Sequence, residues 1–238
     1  MVDLEGLISI NKPPEITSFG VVKNLKKILG IKKAGHCGTL DPMASGVLLV
    51  LLGRSTKLQN SFMELKKCYR AKFLLGITTD TGDITGKVTA RKEYREMKPE
   101  KVMEILNSFI GEIEQVPPMY SALKYGGKKL YELARKGIEV ERFPRKIKIY
   151  NIEFISQYDN MLEIRVECSK GTYIRSLGED IGKKLGCGAT MTFLCREKVG
   201  PFTVKDAFNL DTLKNLDKKT VMEKIIPENA LSSFVKGD

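Results

Sequence analysis

The chain has 238 residues, 42% hydrophobic and 29% charged, which is enough to bury a sizeable core and ordinary for a globular protein. Forty Lys and Arg against 29 acids give +11 and a pI near 9.3, a field that attracts a polyanion; nucleic acid fits better than an anionic membrane, because no strongly amphipathic basic helix stands out. The five cysteines (Cys37, Cys68, Cys168, Cys187, Cys195) are odd in number and never spaced as CxxC, and the one histidine, His36, excludes a two-His metal site and any Ser-His-acid arrangement that does not use it.

The N-terminus, MVDLEGLISINKPP, has no basic region followed by an apolar stretch, so no secretory signal is expected and the protein reads as cytoplasmic. LISI is a short strand. After NKPPEITS, Thr17 or Ser18 suits a helix N-cap, with Phe19, Val22, Leu25 and Leu29 sharing one face and Gly30 as the stop. Residues 31–46 form a loop punctuated by Gly and Pro. VLLVLL at 47–52 is the longest apolar run; it is too short to span a membrane and reads as a buried strand. CYRAKFLLG alternates, with Tyr69, Ala71, Phe73 and Leu75 on one side. TTDTGDITG is a turn, and KVTARK completes a hairpin.

KPEKVMEILNSFIG reads as a helix with Pro99 in its first turn and Gly111 behind it. PPMYSALKYGGKKLYELARKG is a basic stretch that bears tyrosines and ends in a short helix. KIKIYNIEFIS and MLEIRVECS form a hairpin around YDN. KGTYIRSLGEDIGKKLG starts a helix directly after a strand, and ATMTFLCREKVG is a further strand. Hairpins interspersed with helices imply an α+β fold around a mixed, mostly antiparallel sheet.

Two segments stand out for chemistry. Gly35-His36-Cys37-Gly38-Thr39-Leu40-Asp41-Pro42-Met43-Ala44-Ser45-Gly46 carries the histidine and an aspartate on a glycine-rich loop before a buried strand. Taken alone, Asp41 ahead of Pro42 also suits a simple turn. Lys170-Gly171-Thr172-Tyr173-Ile174-Arg175 sits at a strand-to-helix junction, where a surface Arg is the ordinary expectation. Both occur together with Lys12-Pro13 after the first strand and Tyr69 on the third.

In that combination the chain resembles the tRNA pseudouridine-55 synthase family, of the TruB type. The resemblance runs from ISINKPPEITS through GHCGTLDPMASGVL, KCYRAKFLLGITTDTGD, IEQVPPMYSALKYGGKKLYELARKGIEV and CSKGTYIRSLGEDIGKKLGCGA to about residue 216. It implies the pseudouridine synthase fold, a central sheet flanked by helices with an active-site cleft, and no metal or organic cofactor. Asp41 matches the catalytic aspartate of the family's GTLDP motif, and His36 the histidine that contacts the displaced RNA loop. Tyr69 matches the tyrosine that stacks on the target base. Tyr173 and Arg175 match the active-site tyrosine and the arginine that pairs with the aspartate. Leu194 matches a leucine of the uracil pocket, and Lys12 with Pro13 the motif that braces the pocket from below.

The activity implied is isomerisation of uridine to pseudouridine at position 55 in the tRNA T-arm loop, by a monomer that needs no protein partner and no membrane. Lys124, Lys128, Lys129 and Arg135 form a candidate RNA-backbone surface, although an ordinary solvated helix face would look the same. Family members usually continue into a C-terminal RNA-binding module. Here the organisation expected is residues 1–216 as catalytic domain and 217–238 as a short tail, with the PUA-like module absent. Cys37 stands where the family commonly has a small hydroxyl residue. An RNA-binding module that folds tRNA, or a guide-RNA-dependent pseudouridine synthase subunit, are the alternative readings.

Overall fold

The computed structural model describes residues 4–216 and 218–235. In chain order the elements begin with β1 (Gly6–Lys12), α1 (Ser18–Leu29), β2 (Ala34–His36), β3 (Ser45–Leu52), α2 (Gln59–Glu64), β4 (Lys67–Leu75), β5 (Ile77–Thr79), β6 (Val88–Arg91), α3 (Pro99–Asn107) and β7 (Gly111–Gln115). They continue with β8 (Lys124–Tyr125), β9 (Lys128–Lys129), α4 (Leu130–Ala134), β10 (Arg145–Tyr158), β11 (Met161–Cys168), α5 (Ile174–Lys184), β12 (Ala189–Val199), β13 (Phe202–Thr203), β14 (Phe208–Asn209), α6 (Leu210–Asn215), α7 (Lys218–Glu223) and β15 (Ile226–Pro227). Two compact units share them. The first holds the chain up to Tyr69 and from Leu194 onward; the second is Arg70–Phe193.

In the first unit β3 is the organising strand. It pairs antiparallel with β1 along its whole length, from Gly6 opposite Leu52 to Lys12 opposite Gly46. Its other edge takes β12 in parallel at Ser45 and Gly46, and β2 antiparallel at Val50–Leu52. The run Val47–Leu52 is fully buried because both faces are covered, which is why it is continuous rather than alternating. Ile8, Ile10, Leu48, Val50 and Leu52 pack with Val21, Val22, Leu25 and Leu29 of α1. Leu7, Val47, Leu49 and Leu51 pack with Phe62, Phe202 and Leu231.

Helix α1 starts where the sequence places it. Thr17 Oγ1 accepts from Gly20 N at 2.9 Å, and Gly30 ends the helix at φ +66. Phe19, expected on the apolar face, is 71% exposed instead. Ser18 and Val21 take the inward positions; they lie closer to the direction shared by Val22, Leu25 and Leu29 at 100° per residue. The expected 31–46 loop also contains β2, a three-residue strand. Residues 217–238, read from the sequence as a tail, include β15, which pairs with β1, and Leu231, which is buried.

The second unit has the strand order β12-β4-β11-β10-β7. The hairpin of β10 and β11 turns at Asp159, at φ +49. Tyr69, Ala71, Phe73 and Leu75 of β4 are buried as the alternation requires. Helix α5 packs on Phe73 so closely that a Cβ at Gly178 would stand 2.1 Å from the ring. KVTARK does end a hairpin, but its partner is β5, a separate strand that includes Thr78 and Thr79 of TTDTGDITG, and not the CYRAKFLLG strand β4 that the sequence suggests. The basic stretch contains a further hairpin, β8–β9, not foreseen in the sequence.

Candidate active site

The segment between β2 and β3 carries Asp41, and its main chain is held from several directions. Ser18, buried at the first turn of α1, donates through Oγ to Leu40 O at 3.2 Å and accepts from Leu40 N at 2.9 Å. Both polar groups of the residue before Asp41 are thereby fixed. Lys12, with no exposed surface, donates through Nζ to the carbonyls of Pro13, Ile16 and Pro42 at 2.8, 2.8 and 3.1 Å. Pro42 O also accepts from Glu15 N at 2.8 Å, and Ala44 N donates to Asp41 O at 3.0 Å. Arg196, 1% exposed, donates to Val47 O at 2.7 Å, Gly38 O at 3.2 Å and Thr39 O at 3.5 Å.

Glycines make this approach possible at two points. Gly46 has φ +107, and a Cβ there would lie 2.3 Å from Arg196 O. Gly38, at φ +100, faces the Arg196 guanidinium. A side chain at either would strain the backbone.

The electrostatics follow from burial. Desolvation pushes the Lys12 ammonium down to about 8, partly offset by the negative charge of Asp41 and reinforced by Arg196. Burial, then the Arg196 charge, lower His36 below its ordinary value, which favours the neutral imidazole. Its Nδ1 is buried without a hydrogen-bond partner among the described residues, while its carbonyl accepts from Gln59 Nε2 at 2.8 Å. Burial pushes the Cys37 thiol up to about 12 against the opposing charges of Lys67 and Arg196, so it is no nucleophile at neutral pH. Asp41 itself keeps partial exposure. Tyr69 and Leu194 are buried, at 8% and 6% exposure.

The remaining expected residues belong to the second unit. Tyr173 is the N-cap of α5, and its backbone is clamped by Gln115, which accepts from Tyr173 N at 2.8 Å and donates to Tyr173 O at 3.0 Å. Arg175, on the first turn of α5, donates to Thr81 O at 3.0 Å and Tyr120 O at 2.8 Å. Its Nε lies 3.8 Å from Asp83 Oδ2, with both side chains buried. The Asp83 carboxylate is in turn held by Thr81 Oγ1 at 2.9 Å and Thr85 N at 3.0 Å. Lys124, Lys128 and Lys129 are exposed on the β8–β9 hairpin, and Arg135 is exposed at the C-cap of α4. The Tyr131 ring lies 5.5 Å from Lys129 Nζ and 5.4 Å from the Arg135 guanidinium.

Sequence reading missed Ser18, Asp83 and Arg196. Asp83 looked like one more turn residue in TTDTGDITG. Arg196 had a legible signal, since it shares strand parity with the buried Leu194, an inward position where a charge needs a specific partner. Among the described residues no three His, Cys, Asp or Glu side chains cluster as metal ligands, and no helix is long and apolar enough to cross a membrane.

Comparison with known proteins defines the class. The profile of the TruB family pseudouridylate synthase N-terminal domain matches residues 26–174, and that of the tRNA pseudouridylate synthase B C-terminal domain matches 175–236. The chain is 50% identical over 225 residues to tRNA pseudouridine synthase B of Endomicrobium trichonymphae, covering 94% of this chain and 97% of that one. With the protein of the same name from Clostridium tetani it shares 53% over 232 residues, covering 97% and 79%. Among solved structures, a chain from a Cbf5-Nop10-Gar1 complex matches with TM-score 0.72 and 31% identity, covering 94% of this chain. A chain from the archaeal box H/ACA sRNP Nop10-Cbf5 complex matches with TM-score 0.73 and 29% identity, covering 98%. This chain spans 60% and 62% of those two. The fold is that of the pseudouridine synthases. The chain belongs to the TruB family of pseudouridylate synthases.

Proposed function

We propose that this chain isomerises uridine to pseudouridine at position 55 in the T-arm loop of tRNA, with Asp41 as the catalytic carboxylate. The observation that carries the reading is Asp41 itself. In a chain of this family, it is partly exposed on a loop whose flanking carbonyls and amides are fixed by Ser18, Lys12 and Arg196. Such anchoring is what a group held for chemistry needs.

The reaction breaks the N1–C1′ bond, turns the base and rejoins C5 to C1′. N1 gains a proton and C5 loses one, so neither oxidant nor co-substrate enters. Asp41 acts as nucleophile, or assists removal of a sugar proton. The target nucleotide leaves the folded loop to reach it, with His36 toward the RNA loop. Tyr69 stacks on the extruded uracil, compensating for lost base stacking. Leu194 lines the uracil pocket. Arg175 is the arginine of the family's KGTYIR motif and is carried over as the residue that pairs with the catalytic aspartate. Tyr69 or Tyr173 assists the final C5 deprotonation. The positive hairpin bearing Lys124, Lys128 and Lys129, with Arg135, meets phosphates. The protein acts as a cytoplasmic monomer.

The test is incubation with unmodified tRNA and with a T-arm minihelix, mapping pseudouridine by carbodiimide treatment and primer extension. Wild type modifies both without a guide RNA, and Asp41→Asn binds but forms no product. Wild type that binds tRNA and leaves it unmodified overturns the proposal. A requirement for guide RNA would instead favour the guided subunit suggested by the Cbf5-complex neighbours.

A further inference from the structure

Arg196 performs no chemical step in the reaction outlined above, yet it is among the largest fully buried side chains of the described residues. A guanidinium remains charged in any protein environment and is costly to desolvate. Hydrogen bonds to neutral carbonyls offset that cost only in part, so a contribution to stability alone is a poor account of an arginine here. Its hydrogen bonds give a better one. All three run to main-chain carbonyls, two before Asp41 (Gly38 and Thr39) and one after it (Val47). The side chain therefore ties the departing and returning arms of the loop to one rigid fork. The backbone repeats the constraint, because Arg196 is paired with Gly46 and a Cβ on Gly46 would collide with Arg196 O and N.

We propose that Arg196 is a positioning residue: its guanidinium locks the two arms of the 37–46 loop together and so sets where the Asp41 carboxylate stands. The inference rests on the reading of Asp41 as the catalytic carboxylate. A lysine cannot reproduce it. An ammonium is a single point of charge on a flexible stem, whereas the planar fork bridges carbonyls in fixed directions. The guanidinium also places a permanent positive charge beside Lys12, His36 and Cys37, all of which respond to it.

The experiment compares wild type with Arg196→Lys and Arg196→Met, using the full chain and unmodified tRNA. Four quantities are read: Tm, Kd for tRNA, the single-turnover rate of pseudouridine formation at saturating enzyme, and hydrogen–deuterium exchange of the 37–46 segment. Kd is expected to stay at the wild-type value. The single-turnover rate should fall in the order wild type, Lys, Met, reaching about 100-fold in Arg196→Met, the scale associated with ~1 Å misplacement of a reacting group. Exchange in 37–46 should rise in the same order while α5 and β10 stay protected. A merely structural arginine would lower Tm but leave the rate of the folded, saturated enzyme unchanged.

A folded variant with wild-type rate and wild-type exchange overturns the proposal. Failure of both variants to fold also overturns it, in favour of a purely structural role. Wild type that leaves tRNA unmodified refutes the catalytic reading instead, and the exchange data then still report whether Arg196 fixes the loop.

Discussion

Replacing Lys12 by methionine tests whether a desolvated ammonium supports the loop. Nζ donates to three carbonyls, and the charge has no exposed surface. In Lys12→Met, Pro42 O keeps its bond from Glu15 N, while Pro13 O and Ile16 O lose this donor. A destabilisation of about 2 kcal/mol at pH 7 is expected, from lost charge-assisted bonds partly offset by relief of the buried charge. The pH dependence is more discriminating. The native ammonium titrates at about 8 against 10.5 ordinarily, so between these values the unfolded chain holds a proton that the native one lacks. Stability from this group is therefore fully present above pH 10.5 and is lost as pH falls through about 8. At ~1.4 kcal/mol per pH unit the window is worth at most ~3.5 kcal/mol. Urea unfolding of both proteins from pH 7 to 10 should show the wild-type advantage widening with pH. A constant or narrowing gap would refute the reasoning.

Ser18→Ala removes both hydrogen bonds to Leu40; a loss of about 1–3 kcal/mol is expected, a Tm drop of several degrees, with slower single turnover because Asp41 is the next residue. An unchanged Tm and rate would show that Ser18 is dispensable. Gly46→Ala should destabilise by on the order of 3 kcal/mol, combining strain at φ +107 with a 2.3 Å approach to Arg196 O. Gly30→Ala, at φ +66 with open space around its Cβ, should cost only about 1 kcal/mol, and equal losses by denaturant titration would contradict the steric argument. Replacing both Lys128 and Lys129 by alanine should weaken tRNA binding and flatten the slope of log K against log salt by about 1 per lost phosphate contact. Filter binding across a salt series checks this, and an unchanged slope would remove the hairpin from the RNA surface.

Some of the architecture was legible because its causes are local. The Thr17 cap, the Gly30 stop and the alternation of Tyr69, Ala71, Phe73 and Leu75 are each set by neighbours a few residues away. The continuous run Val47–Leu52 announced a strand covered on both faces. Phe19 was misplaced because an apolar type was read as an inward position, whereas the helix phase is set by Ser18 and its bonds to Leu40, 22 residues away. The β8–β9 hairpin went unseen because each strand has two residues, too few for any alternation to show.

For the site, the sequence by itself determined which residue types are available. It has one histidine, an aspartate between glycines, and a charge of +11 that points to RNA. Motifs are contiguous, so GHCGTLDPMASG and KGTYIR were enough to bring the family into view. The tertiary structure alone decided what holds GHCGTLDPMASG in place. Its supports come from Ser18 on α1, Lys12 on β1 and Arg196 on β12, which stand 22, 30 and 158 residues from their respective partners Leu40, Pro42 and Gly38. Hydrogen bonds across such distances leave no periodic trace in a chain, because each partner is a backbone carbonyl or amide that every residue possesses.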